Sequence, residues 1–165
     1  MILPMNRQYK RYRRPQCKTV PVSGRPRALQ NSVSDDAESP AWQFNLLDID
    51  HSLWGWKTFK SNVEEIFFFL STLEGMTWHD LKKQNGGRGK NGGTNHHAVQ
   101  VDDLTKLARD RLRDLKLDEH NELFSLRVNN TRRIYGIKSN KVFKVLWYDE
   151  YHGNNSQAVY PTKNR

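Results

Sequence analysis

The residues with most capacity for chemistry lie near the end of the chain. Residues 125–137 read Ser-Leu-Arg-Val-Asn-Asn-Thr-Arg-Arg-Ile-Tyr-Gly-Ile, and residues 142–152 read Val-Phe-Lys-Val-Leu-Trp-Tyr-Asp-Glu-Tyr-His. Two adjacent strand-like runs each bring arginine, and a third ends in Tyr-His. Cleaving RNA through its own 2′-hydroxyl needs a base for that hydroxyl, cations for the charge on the phosphorane oxygens, and an acid for the departing oxygen. Arginines meet the second need and a histidine the first or third. Arg127, Arg133 and His152 are the candidates, and His97, beside His96, could take the complementary role. The plain alternative is solvated arginines, or arginines paired with Asp149 and Glu150, and a histidine that only closes a turn.

Other groupings carry less. None of the six histidines has H-x-x-x-H spacing and Cys17 is the lone cysteine, so no zinc or other metal is expected, nor any cofactor. The glycine-rich residues 85–93 hold Arg88 and Lys90 and hint at a phosphate loop. A Walker A motif needs Ser or Thr after the lysine, and here Asn91 follows Lys90. A mobile surface loop is expected, with Arg88 and Lys90 able to touch phosphate. Arg132, Lys138 and Lys144 extend the basic surface of the last strands. Asp48 and Asp50 are expected to serve as caps and turn formers, and most tryptophans as core.

These side chains need elements to position them. Residues 42–49 suit a short opening strand. Between 57 and 74, Phe59, Val63, Ile66, Leu70 and Leu73 recur at helical spacing, and Gly75 ends the stripe. Thr77 with Asp80 forms a capping box for a short second helix to Lys83. Asp102 or Asp103 is placed to cap a third helix with Leu104, Leu107, Ala108, Leu112 and Leu115 on one face. Runs at 123–128, 132–138 and 142–149, joined by Asn129-Asn130 and Ser139-Asn140, predict a three-strand meander, because Asn tolerates the backbone of tight turns. The expected fold is α+β: a small antiparallel sheet, built from the opening strand and the C-terminal meander, against two or three helices. Phe143, Val145 and Trp147 are expected on one face of the last strand.

The 127–152 segment resembles the RelE/HigB-like toxin superfamily, compact α+β ribonucleases of toxin-antitoxin systems that generally cut messenger RNA on the ribosome. The family carries basic residues on its meander in a run like "LRV…YRLIY" and a histidine or basic residue beyond the final core strand. The likeness covers residues 122–161, with Arg127 and Arg133 on the meander, His152 ending the "DYH"-like strand, and Tyr160 before Pro161 at a late family tyrosine. It implies an endoribonuclease that is metal-independent, with RNA or the ribosome as target and an acidic antitoxin as neutralising partner. The long basic arm, the extra helix and the glycine loop depart from the minimal family pattern.

Composition sets the outer bounds. The chain has 165 residues with 27 Lys plus Arg against 18 Asp plus Glu, a formal charge of +9. Residues 1–40 hold five of the six prolines and most of that excess, so a disordered basic arm is expected there, followed by one domain at 41–165. Arg11, Arg13 and Arg14, interleaved with Tyr9 and Tyr12, suit phosphate neutralisation and base stacking. Nothing approaches eighteen consecutive apolar residues and no signal-type segment begins the chain, so no membrane contact and a cytoplasmic location are expected. Two further functions fit the same charge: an RNA-binding or host-interaction protein that does not cleave, for instance phage-encoded, and a regulatory DNA binder, for which no helix-turn-helix spacing exists.

Overall fold

A computed structural model describes residues 35–57, 63–84, 95–154 and 156–161. Residues 1–34 of the expected arm, residues 58–62 of the predicted first helix, the predicted loop at 85–93 with residue 94, and residues 155 and 162–165 lie outside the described residues. Among those described, the order is a 3-10 turn (Asp35–Ala37), β1 (Ala41–Gln43), α1 (Val63–Glu74), α2 (Trp78–Lys83), β2 (His97–Gln100), a 3-10 turn (Val101–Asp103), α3 (Lys106–Asp114), β3 (Glu122–Arg127), β4 (Arg133–Ser139) and β5 (Val142–Asp149). The α+β class follows. Residues 35–40, assigned to the arm by composition, fold with the body: the Trp78 amide donates to the Glu38 carbonyl at 3.0 Å.

The sheet has order β1-β5-β4-β3-β2. Its meander is antiparallel as the sequence implies, but β1 runs parallel to β5, so the sheet is mixed. The opening strand is three residues long, shorter than the apolar run around it. Beyond Gln43 the chain leaves the sheet and covers one face, burying Trp54. Edge strand β2 pairs with β3, His97 opposite Ser125. Four residues of mixed polarity gave too short a pattern to stand out as a strand.

Both faces of the sheet are covered. On one face Ile66, Leu70 and Leu73 of α1 and Trp78 and Leu81 of α2 meet Phe124, Leu126, Ile134, Phe143 and Val145. On the other, Ala108 and Leu112 of α3 join Trp54, Leu123, Tyr135, Leu146 and Trp147. Each fully buried large side chain contributes about 1.5–3 kcal/mol relative to exposure. The predicted capping box is present: the Asp80 amide donates to Thr77 Oγ1 at 3.2 Å and the Thr77 amide to Asp80 Oδ2 at 3.3 Å. The cap of α3 is Thr105, not Asp102 or Asp103, because those aspartates are used up in the 3-10 turn ahead of it.

One irregularity controls which face each late residue meets. Tyr135 pairs with Trp147 but Gly136 with Val145, leaving Leu146 as an extra residue. Such a bulge reverses the alternation beyond it. Trp147 therefore joins the α3 side while Phe143 and Val145 stay on the α1 side, correcting the single-face assignment of these three. Gly136 sits opposite the bulge, where a Cβ would lie 2.3 Å from the Lys144 carbonyl oxygen. Asp48, expected as a turn former, is instead a buried anchor: Arg111 donates to both its oxygens at 2.8 and 2.7 Å, and Trp147 Nε1 donates to one of them at 2.9 Å.

Candidate active site

In the sheet register Arg127 of β3 lies opposite Arg133 of β4, and Arg133 opposite Asp149 of β5. Directly paired residues share a face, so both guanidinium-bearing side chains start from the α3 side of the sheet. His97 and Ser125 pair one step along, with Tyr135 next across. The turn after β5 brings His152 to the same end: its amide donates to the Thr131 carbonyl at 3.0 Å, tying that turn to the β3–β4 loop. Four sequence candidates, Arg127, Arg133, His97 and His152, thus converge. Arg133 is 6% exposed, whereas Arg127, His97 and His152 are half-buried, so the group opens to solvent on one side.

The electrostatics bear out this proximity. The His152 imidazole is held down to about 4, first by burial and then by the charges of Arg133, His97 and Arg127. Burial also lowers Arg133 to about 10, with Arg127 adding to the effect and Tyr135 and Asp149 opposing it. Its guanidinium donates to the backbone carbonyls of Asn129 and, at 2.9 Å, of Arg132. Arg127 donates to Asn95 Oδ1 at 3.0 Å and Asn130 Oδ1 at 2.6 Å, so the arginine fork is held in place from both sides.

The two adjacent histidines divide their tasks. His96 Nδ1 accepts from the Arg127 amide at 3.2 Å, and its Nε2 lies 3.0 Å from Gln84 Oε1. A nitrogen that accepts an N–H carries no proton, so the proton sits on Nε2 and the ring is neutral. Burial, with the charges of Arg133, His97 and Arg127, lowers it to about 4 as well. Both nitrogens of His96 serve the fold. His97, turned to the opposite face of the edge, belongs to the cluster.

Arg132 does not join it. One residue out of step, it points to the α1 side and pairs with Glu65 at 2.9 Å and Glu150 at 4.0 Å. Lys138 lies with its ammonium 4.9 Å from the Trp78 ring centroid and donates to the Asn140 carbonyl at 2.8 Å. Lys144 is at the β5 end, opposite Gln43. Tyr160 packs against the α3-side core, close enough to Tyr135 for their charges to interact. Arg11, Arg13, Arg14, Arg88 and Lys90 lie outside the described residues.

Three contributors are not among the site residues named from sequence, although Asp149 reads there as a possible partner of the arginines. Asp149 is fully buried, and its carboxylate accepts from the Tyr151 amide at 2.7 Å and the Val159 amide at 3.0 Å, pinning both ends of the turn that carries His152. Burial raises it to about 6 against the pull of those amides and of Arg133. Ser125 and Tyr135 are buried beneath the arginines, and burial pushes the Tyr135 phenol up while the neighbouring Ser125 hydroxyl pulls the other way. Neither hydroxyl, nor His152 Nδ1, has a hydrogen-bond partner within normal geometry among the described residues. The face of Asp149 is decided by the bulge in β5, whereas Ser125 and Tyr135 follow the plain alternation of β3 and β4.

Among the described residues no three His, Cys, Asp or Glu side chains are grouped so as to hold a metal ion, and no helix is long and apolar enough to cross a membrane. Comparison with protein-family models, with curated proteins and with solved structures finds no match.

Proposed function

We propose that the chain is a metal-independent endoribonuclease of RelE/HigB type, acting on messenger RNA, with the ribosome as a possible platform and an acidic antitoxin as the partner that masks its basic face. The observation that carries this is the register match of Arg127 with Arg133, which sets two guanidinium groups side by side in the electrostatic reach of His152 and His97. Arg127 and Arg133 bind the scissile phosphate and stabilise the charge that gathers on its oxygens. His152, neutral at pH 7, takes the 2′-hydroxyl proton, and the 2′-oxygen displaces the 5′-oxygen to leave a 2′,3′-cyclic phosphate. His97 gives a proton to the leaving oxygen. An arriving phosphate offsets the arginine charges that help to hold the His152 ring down, and so strengthens it as a base.

The test is cleavage of single-stranded RNA, free and during translation. Arg133→Ala and His152→Gln should each slow cleavage by about 100- to 10,000-fold, the usual worth of a general acid, base or charge-stabilising group. RNA affinity should change far less. Wild-type protein that leaves RNA intact both free and on ribosomes would overturn the proposal.

One observation favours a binding module that does not cleave. Arg133 is almost wholly buried and spends hydrogen bonds on two backbone carbonyls, as a purely structural arginine would. In that case the same substitutions change only affinity and its salt dependence, and RNA stays whole.

A further inference from the structure

The acidic residues of the first 40, Asp35, Asp36 and Glu38, follow at once on a stretch with eight basic residues. The described part of this segment is laid along lysines of the body. Asp36 Oδ1 is 2.7 Å from Lys82 Nζ and 3.8 Å from Lys138 Nζ, and Glu38 Oε2 is 2.7 Å from Lys141 Nζ. Three lysines from α2, β4 and the β4–β5 turn thus each face a carboxylate from one short piece of chain.

These lysines border two clefts, each of about 350 Å³. The first is lined by Lys82 and Lys138 at one end and by His96 and His97 at the other, with Glu122 on its wall. The second is lined by Lys141 and Lys144, with Glu38 and Gln43. His97 borders the first cleft at the β2 edge while its register places its side chain with the arginines on the other face, and the acidic segment reaches lysines of both clefts. Glu122 is the carboxylate least suited to an anion, and Gln100 Nε2 donates to it at 3.3 Å.

We propose that Lys82, Lys138 and Lys141, with Lys144 beyond them, form a second phosphate-binding track for single-stranded RNA that runs from the cleft at the β2 edge toward the β4–β5 turn, and that Asp36 and Glu38 cover this track in the free protein. This rests on the ribonuclease assignment for the identity of the polyanion. Each carboxylate lies on its lysine as a phosphate oxygen would. The pairs are part-exposed, with side chains from 16% to 55% accessible, and ion pairs of that exposure are weak. A polyanion that engages several lysines together releases condensed counterions and can displace them. Asp36 is held low mainly by its bond to Lys82, and Lys141 is raised by Glu38.

The experiment measures binding of a fully 2′-O-methylated ten-nucleotide RNA, which cannot be cleaved through its 2′-oxygens, by fluorescence anisotropy across a salt series. Asp36→Asn with Glu38→Gln should tighten binding by about 3- to 10-fold at low salt. Each lysine so uncovered should steepen the log–log salt slope by about 0.7, the value for one phosphate contact on a single strand. Lys82→Gln with Lys141→Gln should weaken wild-type binding and erase the gain. Acidic-segment variants that bind no tighter while melting like wild type would overturn the track. Should those variants melt lower, the lysine pair decides, and unchanged affinity there overturns it too. Loss of tightening with cleavage intact refutes the track alone, whereas tightening without any cleavage refutes the enzyme and leaves the track.

Discussion

Replacing Arg133 with methionine keeps most of the buried stem and removes the charge, and the reporter is the ring of His152. That ring sits at about 4 against an ordinary 6.5. The difference corresponds to at most about 3 kcal/mol between the two protonation states, an upper bound because the ring is half-buried and partly screened. Burial is the first cause and Arg133 the second, so losing the charge should return only part of the shift, leaving the midpoint above about 4 but short of 6.5. The assay is an NMR titration of the His152 Cε1–H resonance from pH 3 to 8 in both proteins. Stability should follow with a definite sign. The folded ring is the weaker base, so this group binds more protons in the unfolded chain between pH 6.5 and 4 and its contribution to stability is lost on acidification, while Asp149, raised to about 6, contributes in the opposite sense. In the variant that slope should flatten. Equal midpoints in the two proteins, or a wild-type midpoint near 6.5, would show that the imidazole is solvated and that arginines and histidine do not share one site.

Other outcomes are expected from the same geometry. The acid limb of kcat/KM should fall near pH 4, and an acid limb near 6.5 would exclude His152 as base. Asp48→Ala leaves Arg111 and the buried Trp147 N–H without their acceptor and should cost about 3–5 kcal/mol in urea unfolding, a loss under 1 kcal/mol contradicting the anchor. Gly136→Ala drives a methyl group into the Lys144 carbonyl and the Phe143 ring, so a loss of about 1–3 kcal/mol or more is expected by thermal melting. Thr77→Ala should cost about 1 kcal/mol through the lost capping box, and a neutral result would show that the short helix needs no cap.

The parts of the fold that depend on local pattern were open in the sequence. Ile66, Leu70 and Leu73 repeat at helical spacing and are the buried stripe of α1, and Thr77 with Asp80 announces its helix start. The meander was legible because Asn140 takes the left-handed backbone, φ 55°, that its two-residue turn requires. What failed depended on distant partners. The parallel pairing of β1 with β5 and the edge pairing of β2 are decided by tertiary contact, and no stretch of three or four residues encodes that. For the candidate site, Arg127, Arg133, His97 and His152 could be named because strand ends concentrate charged residues. The resemblance prefers Arg133 to Arg132, and the register supplies the physical reason; Asp149 needed the bulge, while Ser125 and Tyr135 follow from the alternation of β3 and β4 once Arg127 and Arg133 are placed. An uninterrupted alternation from Phe143 would have sent Asp149 to the α1 side, away from both arginines.

That extra residue in β5 makes the strand two independent halves. The half before it is fixed to β1 and the tryptophan-rich side; the half after it holds Arg133 and steers the His152 turn. Excising Leu146 would regularise the strand yet preserve every pairing beyond it, because Trp147 would still face Tyr135 and Asp149 would still face Arg133. A duplication at the same point would only enlarge the bulge. Length changes here are thus absorbed without rotating the polar end of the sheet, so the scaffold and its reactive rim are free to drift apart in sequence while staying in phase.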